Sequence, residues 1–319
     1  MTRFGFFSAA LLIAGIAWPQ DFPGKSVRMI VPFAPGGSTD VLARIVSQKL
    51  YERWGQIVIA DNRVGASGNI GAEAVVKAAP DGYTLLMAGA PHAINMSLFH
   101  NLRYDLAKDL TPLSSVATFP SLIAVHPSVP VKSVKELIAL ARMRPGELNF
   151  GSAGNGSPNH LSMELFKTLA KVNMTHIPYK GGSGQMVSDL LAGQVQLASM
   201  GLPPAMPYVK TGRLRVIAVT STKRSPLLSD VPTVSESGLA GFDVSSWYGV
   251  FAPAGMTRDL TAKLNGDIVA VLGAADLKER LASLGAEPMP MASEDFGRYV
   301  RKDIAKWAKV VKESGAKVD

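Results

Sequence analysis

The chain of 319 residues contains no cysteine. Disulfides, iron–sulfur clusters, thiolate chemistry and a lipid anchor on a cysteine are therefore excluded. Charged residues are few, at 18% against 47% apolar residues, which is typical of a packed globular protein and not of a disordered one. The net charge of +8 includes no run of five like charges. The sequence therefore predicts no nucleic-acid partner and only a mild general attraction for small anions.

Sequence motifs of catalysis and metal binding are missing as well. The five histidines include no i, i+3 or i, i+4 pair and no HExxH, so we expect no metal site. The chain has no GxGxxG fingerprint, no P-loop and no GxSxG nucleophile elbow. We therefore expect no cofactor and no enzyme. For an enzyme, only His92, His160 and Asp40 would be candidates for acid–base chemistry.

Long apolar segments are absent except at the N-terminus, where an apolar run at residues 4–17 follows Arg3. A basic residue, a short apolar core and small residues at Gly15 and Ala17 predict a secretory signal peptide over residues 1–20, removed from the mature protein. The run is short for a membrane-spanning helix, so a retained anchor is only the alternative. We expect a soluble, exported, periplasmic protein.

The junction at residues 31–40 is the most informative segment that is present. Residues 27–33 predict a buried strand, and apolar residues at helical spacing follow from Leu42. Pro35 ends the strand, two glycines permit a tight turn, and Ser38 is the predicted helix N-cap. Such a turn aims backbone N–H groups and the positive end of a helix dipole at one point, which makes an anion site. The alternative is a corner that needs glycine for steric reasons only.

The rest of the chain predicts two α/β domains, which suits its length. Strands and helices alternate up to residue 88, as in a parallel sheet covered by helices. The pattern then changes, because residues 113–118 and 122–125 predict two adjacent strands without a helix between them. Alternation resumes afterwards, and helices close the chain. Glycine-rich strand-to-helix corners recur at residues 151–157 and 179–185, so we expect helix N-termini and hydroxyls to converge on a cleft that suits a small carboxylate.

Several longer motifs resemble one family, the solute receptors of tripartite tricarboxylate transporters, called the Bug or TctC family. The resemblance covers nearly the whole mature chain. Its motifs are PFAPGGSTD at 32–40, DNR at 61–63, GNIG at 68–71, APDGYT at 79–84, GSPNHL at 156–161, PYKG at 178–181, VPT at 231–233 and WYG at 247–249. One departure is Val64, where the family usually has proline.

The resemblance implies an α/β protein with the two-lobed periplasmic binding protein fold (type II, Venus-flytrap), each lobe a mostly parallel sheet flanked by helices. It places a signal peptide at residues 1–20, one lobe at 21–106 and 222–319, and the other lobe at 107–221. It implies a monomer that binds a small organic acid between the lobes and delivers it to the integral membrane permease subunits of the transporter.

The resemblance also implies the ligand-binding residues. The two corners that hold the ligand carboxylate would be Phe33, Gly36, Gly37, Ser38, Thr39 and Asp40, facing Ser152, Ala153, Gly154, Asn155 and Gly156. The far end of the ligand would meet Ala90, His92, Tyr179, Met200 and Tyr248. Two other functions stay open at this stage: a sensor that binds an organic acid without transport, and an exported enzyme on the same fold. The sequence does not identify the carboxylate.

Overall fold

The computed structural model describes residues 22–179 and 183–317. The predicted signal peptide lies outside the described residues, and so do residues 180–182 of the third predicted corner. The strands are β1 (Val27–Val31), β2 (Val58–Asn62), β3 (Thr84–Gly89), β4 (Leu110–Val125), β5 (Asn149–Ser152), β6 (Thr175–Pro178), β7 (Leu197–Gly201), β8 (Arg215–Val219), β9 (Ser245–Pro253) and β10 (Glu287–Pro288).

The helices are α1 (Ser38–Trp54), α2 (Asn69–Val76), α3 (Ala90–Leu98), α4 (Val134–Met143), α5 (Pro158–Ala170), α6 (Ser183–Leu191), α7 (Leu202–Lys210), α8 (Arg258–Gly273), α9 (Ala275–Ser283) and α10 (Ser293–Ser314). Short 3₁₀ turns occur at Ala66–Gly68 and Pro226–Leu228. Within the described ranges, no helix combines the length and the apolar character that crossing a bilayer requires.

The strands form one curled sheet in the order β2-β1-β3-β9-β4-β7-β5-β6, with β8 and β10 also paired to β4. We call β1–β3, β9, β10 and residues 110–120 of β4 lobe 1, and β5–β8 with residues 121–125 of β4 lobe 2. The α/β two-lobed fold is confirmed. The sheet is mixed: β1 pairs parallel with β2 and β3, and β5 with β6 and β7, whereas β4 and β9 pair antiparallel with their neighbours.

Strand β4 corrects the prediction of two separate strands between residues 113 and 125. It runs unbroken through Pro120, which pairs with Ser245 of β9, and Ser121 then pairs with Gly201 of β7. Proline lacks the N–H that a ladder needs, so it suits the point where the partner strand changes. The chain therefore passes between lobes inside one strand. The boundaries at residues 106/107 and 221/222 stay a prediction.

Buried side chains form three clusters. One lies on the outer side of each lobe, and the third extends through both lobes between the sheet and α3, α5 and α10. In that shared core, Trp247 and Trp307 both donate to Asp303 Oδ2, at 2.7 and 3.1 Å. Helix α10 packs against α3, which follows β3 of lobe 1, and against α5, which follows β5 of lobe 2, so it holds the two lobes together.

Candidate ligand-binding cleft

A cavity of about 400 Å³ lies between the lobes, beside the strand crossing. That volume falls within the range of small-molecule sites. Its walls come from both lobes. It is lined by Gly36, Ser38, Val41, Phe119, Ser121, Pro158, Asn159, Ser183, Ser199, Gly201, Pro204, Val244, Ser246, Tyr248 and Leu284.

Four helices begin at this cavity. Ser38, Pro158 and Ser183 are the first residues of α1, α5 and α6, and Gly201 is the N-cap of α7. Each helix N-terminus carries partial positive charge and N–H groups that have no partner within the helix. The convergence therefore favours an anion. Among the described lining residues no side chain is charged, so helix ends and hydroxyls carry the polarity.

The first corner, residues 33–40, is fixed by a network centred on Asp40. Its carboxylate accepts from Gly36 N at 3.0 Å, from Asn62 Nδ2 at 2.9 Å and from Arg44 Nε at 3.0 and 3.1 Å. Asn62 Nδ2 also donates to Phe33 O at 3.0 Å. The Arg44 hydrogen bond is the main cause that lowers the pKa of Asp40 to about 2. Asp40 is 3% exposed, so it fixes the corner from behind and is absent from the cavity wall.

Glycine is required in this corner at Gly36, where φ is +85°. The N–H of Gly36 donates to Asp40, so it is not one of the free donors of the turn. The structure corrects the helix N-cap, which is Gly37 and not Ser38. Gly37 has no side chain to accept from the first turn of α1. The N–H groups there have no capping partner, and the corner is exposed.

The remaining residues predicted for lobe 1 lie in the corner itself or behind it. Thr39 is buried, at 6% exposed, and Phe33 packs edge-on against the ring of His92 with centroids 5.8 Å apart. Ala90 and His92 are buried in the first turn of α3. None of these four residues lines the cavity.

His92 is fully buried, and its Nδ1 accepts from Gly89 N at 3.3 Å. Burial lowers its pKa to about 4, so the ring is neutral near pH 7. Its Nε2 lies against Gly68, where an added Cβ would come within 2.9 Å of that atom and 3.0 Å of Phe33. The glycine of the GNIG motif therefore makes room for the two rings that support the first corner.

In the second corner, residues 152–157, backbone N–H groups are paired with nearby side chains. Ser152 Oγ accepts from Gly154 N at 3.1 Å, and His160 Nδ1 accepts from Gly156 N at 3.1 Å. Ser157 caps α5 by accepting from His160 N. Ser152 is fully buried and Gly156 is buried, whereas Ala153 and Gly154 are half-buried and Asn155 is exposed. Of residues 152–156, none is part of the cavity wall in this structure.

A stack of rings supports this second corner. His160 and His176 lie face to face with centroids 3.8 Å apart, and Phe150 stacks on His176 at 4.9 Å. His176 Nε2 lies 2.6 Å from Ser152 Oγ. Burial, and next the nearby His160, lower the pKa of His176 to about 4. This side of the corner is therefore built around a neutral histidine, as the first corner is.

The residues predicted for the far end of the ligand are divided between wall and core. Tyr248 lines the cavity, packs edge-on against Phe119 at 5.6 Å, and interacts with Ser38. Burial raises its pKa. Tyr179 is 7% exposed and donates to Asp189 at 2.9 Å. Met200 is 2% exposed within the core of lobe 2. Neither Tyr179 nor Met200 is part of the cavity wall.

The family of this chain follows from its similarity to known proteins. Residues 42–316 match the model of the family described as TctC, tripartite tricarboxylate transporter family receptor. The chain belongs to this family. The matched range begins just after the first corner, but relatives extend over it. Protein BugT of Bordetella pertussis is 39% identical over 98% of this chain and 97% of its own length.

Solved structures agree with the assignment. An R. palustris protein determined with adipate is 42% identical, has a TM-score of 0.77, and aligns over 93% of this chain and 99% of its own. MatC from Rhodopseudomonas palustris, with bound malate, is 34% identical, with a TM-score of 0.73 and coverage of 91% and 100%. The family resemblance expected from the motifs is therefore confirmed.

Sequence reasoning missed most of the cavity wall in lobe 2. Asn159, Ser199 and Gly201 line the cavity, although only their neighbours were nominated. A signal existed for Gly201, because a glycine followed by Leu-Pro-Pro at the end of a predicted strand forms a strand-to-helix junction like the others. Among the described residues, no group of three or more His, Asp or Glu side chains could hold a metal ion.

Proposed function

We propose that this protein is an extracytoplasmic receptor that binds a small organic carboxylate in the cavity between its lobes and delivers it to a tripartite tricarboxylate-type permease. One observation carries the proposal. Four helix N-termini from both lobes meet at the cavity, and α1 begins with N–H groups that have no side-chain cap. Such groups bind a carboxylate without a cationic side chain.

The relatives support a carboxylate ligand. One solved neighbour is described with adipate and another with bound malate, both small dicarboxylates. Apolar wall residues such as Val41, Phe119 and Leu284 would contact the carbon chain of such a ligand, while the helix ends face its charged groups. We infer that the ligand is a single small molecule that is anionic at neutral pH.

An enzyme on this fold is disfavoured by the positions of the three candidate groups. His92 is fully buried. The carboxylate of Asp40 accepts hydrogen bonds from Arg44, Asn62 and Gly36. His160 is buried, and its Nδ1 accepts from Gly156 N. None of the three lines the cavity. A sensor would use the same cleft, and co-purification with permease subunits after crosslinking would favour transport over that alternative. We expect the receptor to act as an exported monomer.

The connections between the lobes suggest how the receptor closes. Thr220 N donates to Ser121 O at 2.9 Å, and Thr220 Oγ1 donates to Val244 O at 2.6 Å, so the two connections lie side by side. We propose rotation about this line on binding, limited by the core that α10 shares with both lobes. Small-angle scattering should give a slightly smaller radius with saturating ligand. Identical curves would contradict closure without contradicting binding.

The experiment for the function is a melting-temperature screen of the mature protein with mono- and dicarboxylates, aromatic acids and amino acids, followed by calorimetric titration. A ligand that binds only the folded state raises the melting temperature by mass action. We expect at least one carboxylate to bind, and binding to be lost in Gly37→Val. Gly37 has φ of −76°, and a Cβ added there would meet Ala34 O at an ordinary contact distance of 3.6 Å, so this variant should fold. A panel in which no carboxylate binds would overturn the proposal.

A further inference from the structure

Asn159 is a cavity residue whose orientation is set by the fold. It occupies the first turn of α5, and its Nδ2 donates to Ser199 O at 2.7 Å. Ser199 lies one residue beyond Ala198, the last residue of β7 that pairs with β5. Asn159 therefore satisfies a backbone carbonyl just beyond the point where β7 stops pairing with β5, and this contact ties α5 to β7.

This hydrogen bond also decides which end of the amide faces the cavity. A carbonyl oxygen only accepts, so the Asn159 atom beside it is the NH₂ group and not the oxygen. The side-chain oxygen Oδ1 is left over. Asn159 is half-buried in the cavity wall, and within the described part of the chain the hydrogen bond to Ser199 O is the one that its side chain makes, which leaves Oδ1 without a donor there.

A side-chain atom that can accept but not donate a hydrogen bond is unusual in this wall. The other described polar side chains of the lining are hydroxyls, which both donate and accept, and the helix ends supply N–H donors. Oδ1 is the one side-chain atom in this described lining that only accepts. It has no use for a carboxylate, which also only accepts, and it repels one that comes close.

Resting on the function proposed above, we infer that Asn159 is a specificity-determining residue that selects carboxylates bearing a hydrogen-bond donor, a hydroxyl or an amine, on the carbon skeleton. The carboxylate binds the helix ends and the donor binds Oδ1. An unsubstituted acid leaves Oδ1 desolvated and unpaired, which costs affinity that the substituted acid keeps.

The test uses matched ligand pairs, and calorimetry measures the ratio of affinities within each pair. The pairs are succinate with malate, succinate with aspartate, and butyrate with 3-hydroxybutyrate. We expect the donor-bearing member of at least one pair to bind about tenfold more tightly. In Asn159→Leu that ratio should fall to near one, because the acceptor is gone. A ratio within a pair is insensitive to a general loss of carboxylate affinity.

Two controls separate the acceptor from other effects. Asn101→Leu makes the same change at an exposed asparagine outside the cavity wall and should leave the ratio within each pair unchanged. Asn159→Asp keeps an oxygen but adds a charge beside the anion, so it should weaken both members. If carboxylates bind but no pair shows a preference, or if Asn159→Leu keeps the preference, this inference is wrong and the receptor function stands. If no carboxylate binds, both are wrong.

Discussion

The two glycine-rich corners at the starts of α1 and α5 pair their backbone N–H groups in different ways. In the first, α1 begins at Gly37 without a side-chain cap, and a network around Asp40 holds the loop from behind. In the second, Ser157 caps α5, and Gly154 N and Gly156 N are accepted by Ser152 and His160. The first corner leaves the start of α1 without a side-chain cap, whereas the second corner pairs its N–H groups with its own side chains.

From this difference we propose that the two lobes have different tasks in ligand binding. An anion gains most from donors that are held in place and otherwise unpaired, which the first corner provides. The second corner offers a stable surface from which Asn159 reaches the cavity. Carboxylate affinity should therefore depend on lobe 1, and discrimination between carboxylates should depend on lobe 2.

The largest effect is expected when α1 is given the side-chain cap that it lacks. Gly37 has the extended backbone of an N-cap residue, so Gly37→Asp should cap α1 and stabilise the fold by roughly a few tenths of a kcal/mol. The same carboxylate would occupy the free donors and repel the ligand. Two like charges about 4 Å apart cost about 4 kcal/mol near a surface, so affinity should fall about a thousandfold. Calorimetry and urea unfolding measure both effects.

Gly37→Ser is the companion variant, because it caps α1 without adding charge and should weaken binding less. Gly266→Val is a control far from the cleft, at an exposed helical glycine with open space around it. Full affinity in Gly37→Asp would mean that the ligand does not use the first corner. The assignment of residues 33–40 would then be wrong.

The histidines behind the corners predict how stability depends on pH. Burial holds the pKa of His92 and of His176 at about 4, against about 6.5 in an unfolded chain. Between these values the unfolded chain binds more protons than the folded protein. Stability is therefore full above pH 6.5 and falls as the pH drops toward 4. From pH 8 to pH 5, His92 alone should cost about 2 kcal/mol, measured by urea unfolding at each pH.

His92→Gln should flatten that pH dependence while lowering stability at pH 8, since the glutamine does not fill the same space. His100→Gln, at an exposed histidine, is the matched control. Asp40 has linkage of the same sign in a lower pH window: its pKa of about 2 stabilises the fold above pH 4, and that contribution is lost only as the pH falls below that value. Equal stability of the parent protein at pH 8 and pH 5 would contradict the neutral-histidine account.

The sequence predicted the positions of the corners but not how their hydrogen bonds are divided. Glycine, serine and proline between a strand and a helix are visible locally. Whether Gly36 N is free depends on Asp40, Asn62 and Arg44, which meet only in the folded lobe. The sequence led to Met200 as a predicted ligand contact, and not to Ser199 or Gly201, for a similar reason. Nearly all of β7 is buried, so no alternation of polar and apolar residues indicates which face meets the cavity.

The smallest predicted effect tests the second corner. Ser157→Ala removes the cap of α5, whose Oγ accepts from His160 N at 3.3 Å, and should lower the free energy of unfolding by about 1 kcal/mol. Affinity should change less than threefold, because the freed N–H is buried behind the corner with His160 and not exposed to the cavity. Melting curves and calorimetric titration with the best carboxylate check the two expectations separately. A loss of affinity as large as that of Gly37→Asp would show that both corners grip the anion alike, and the division of tasks between the lobes would fail.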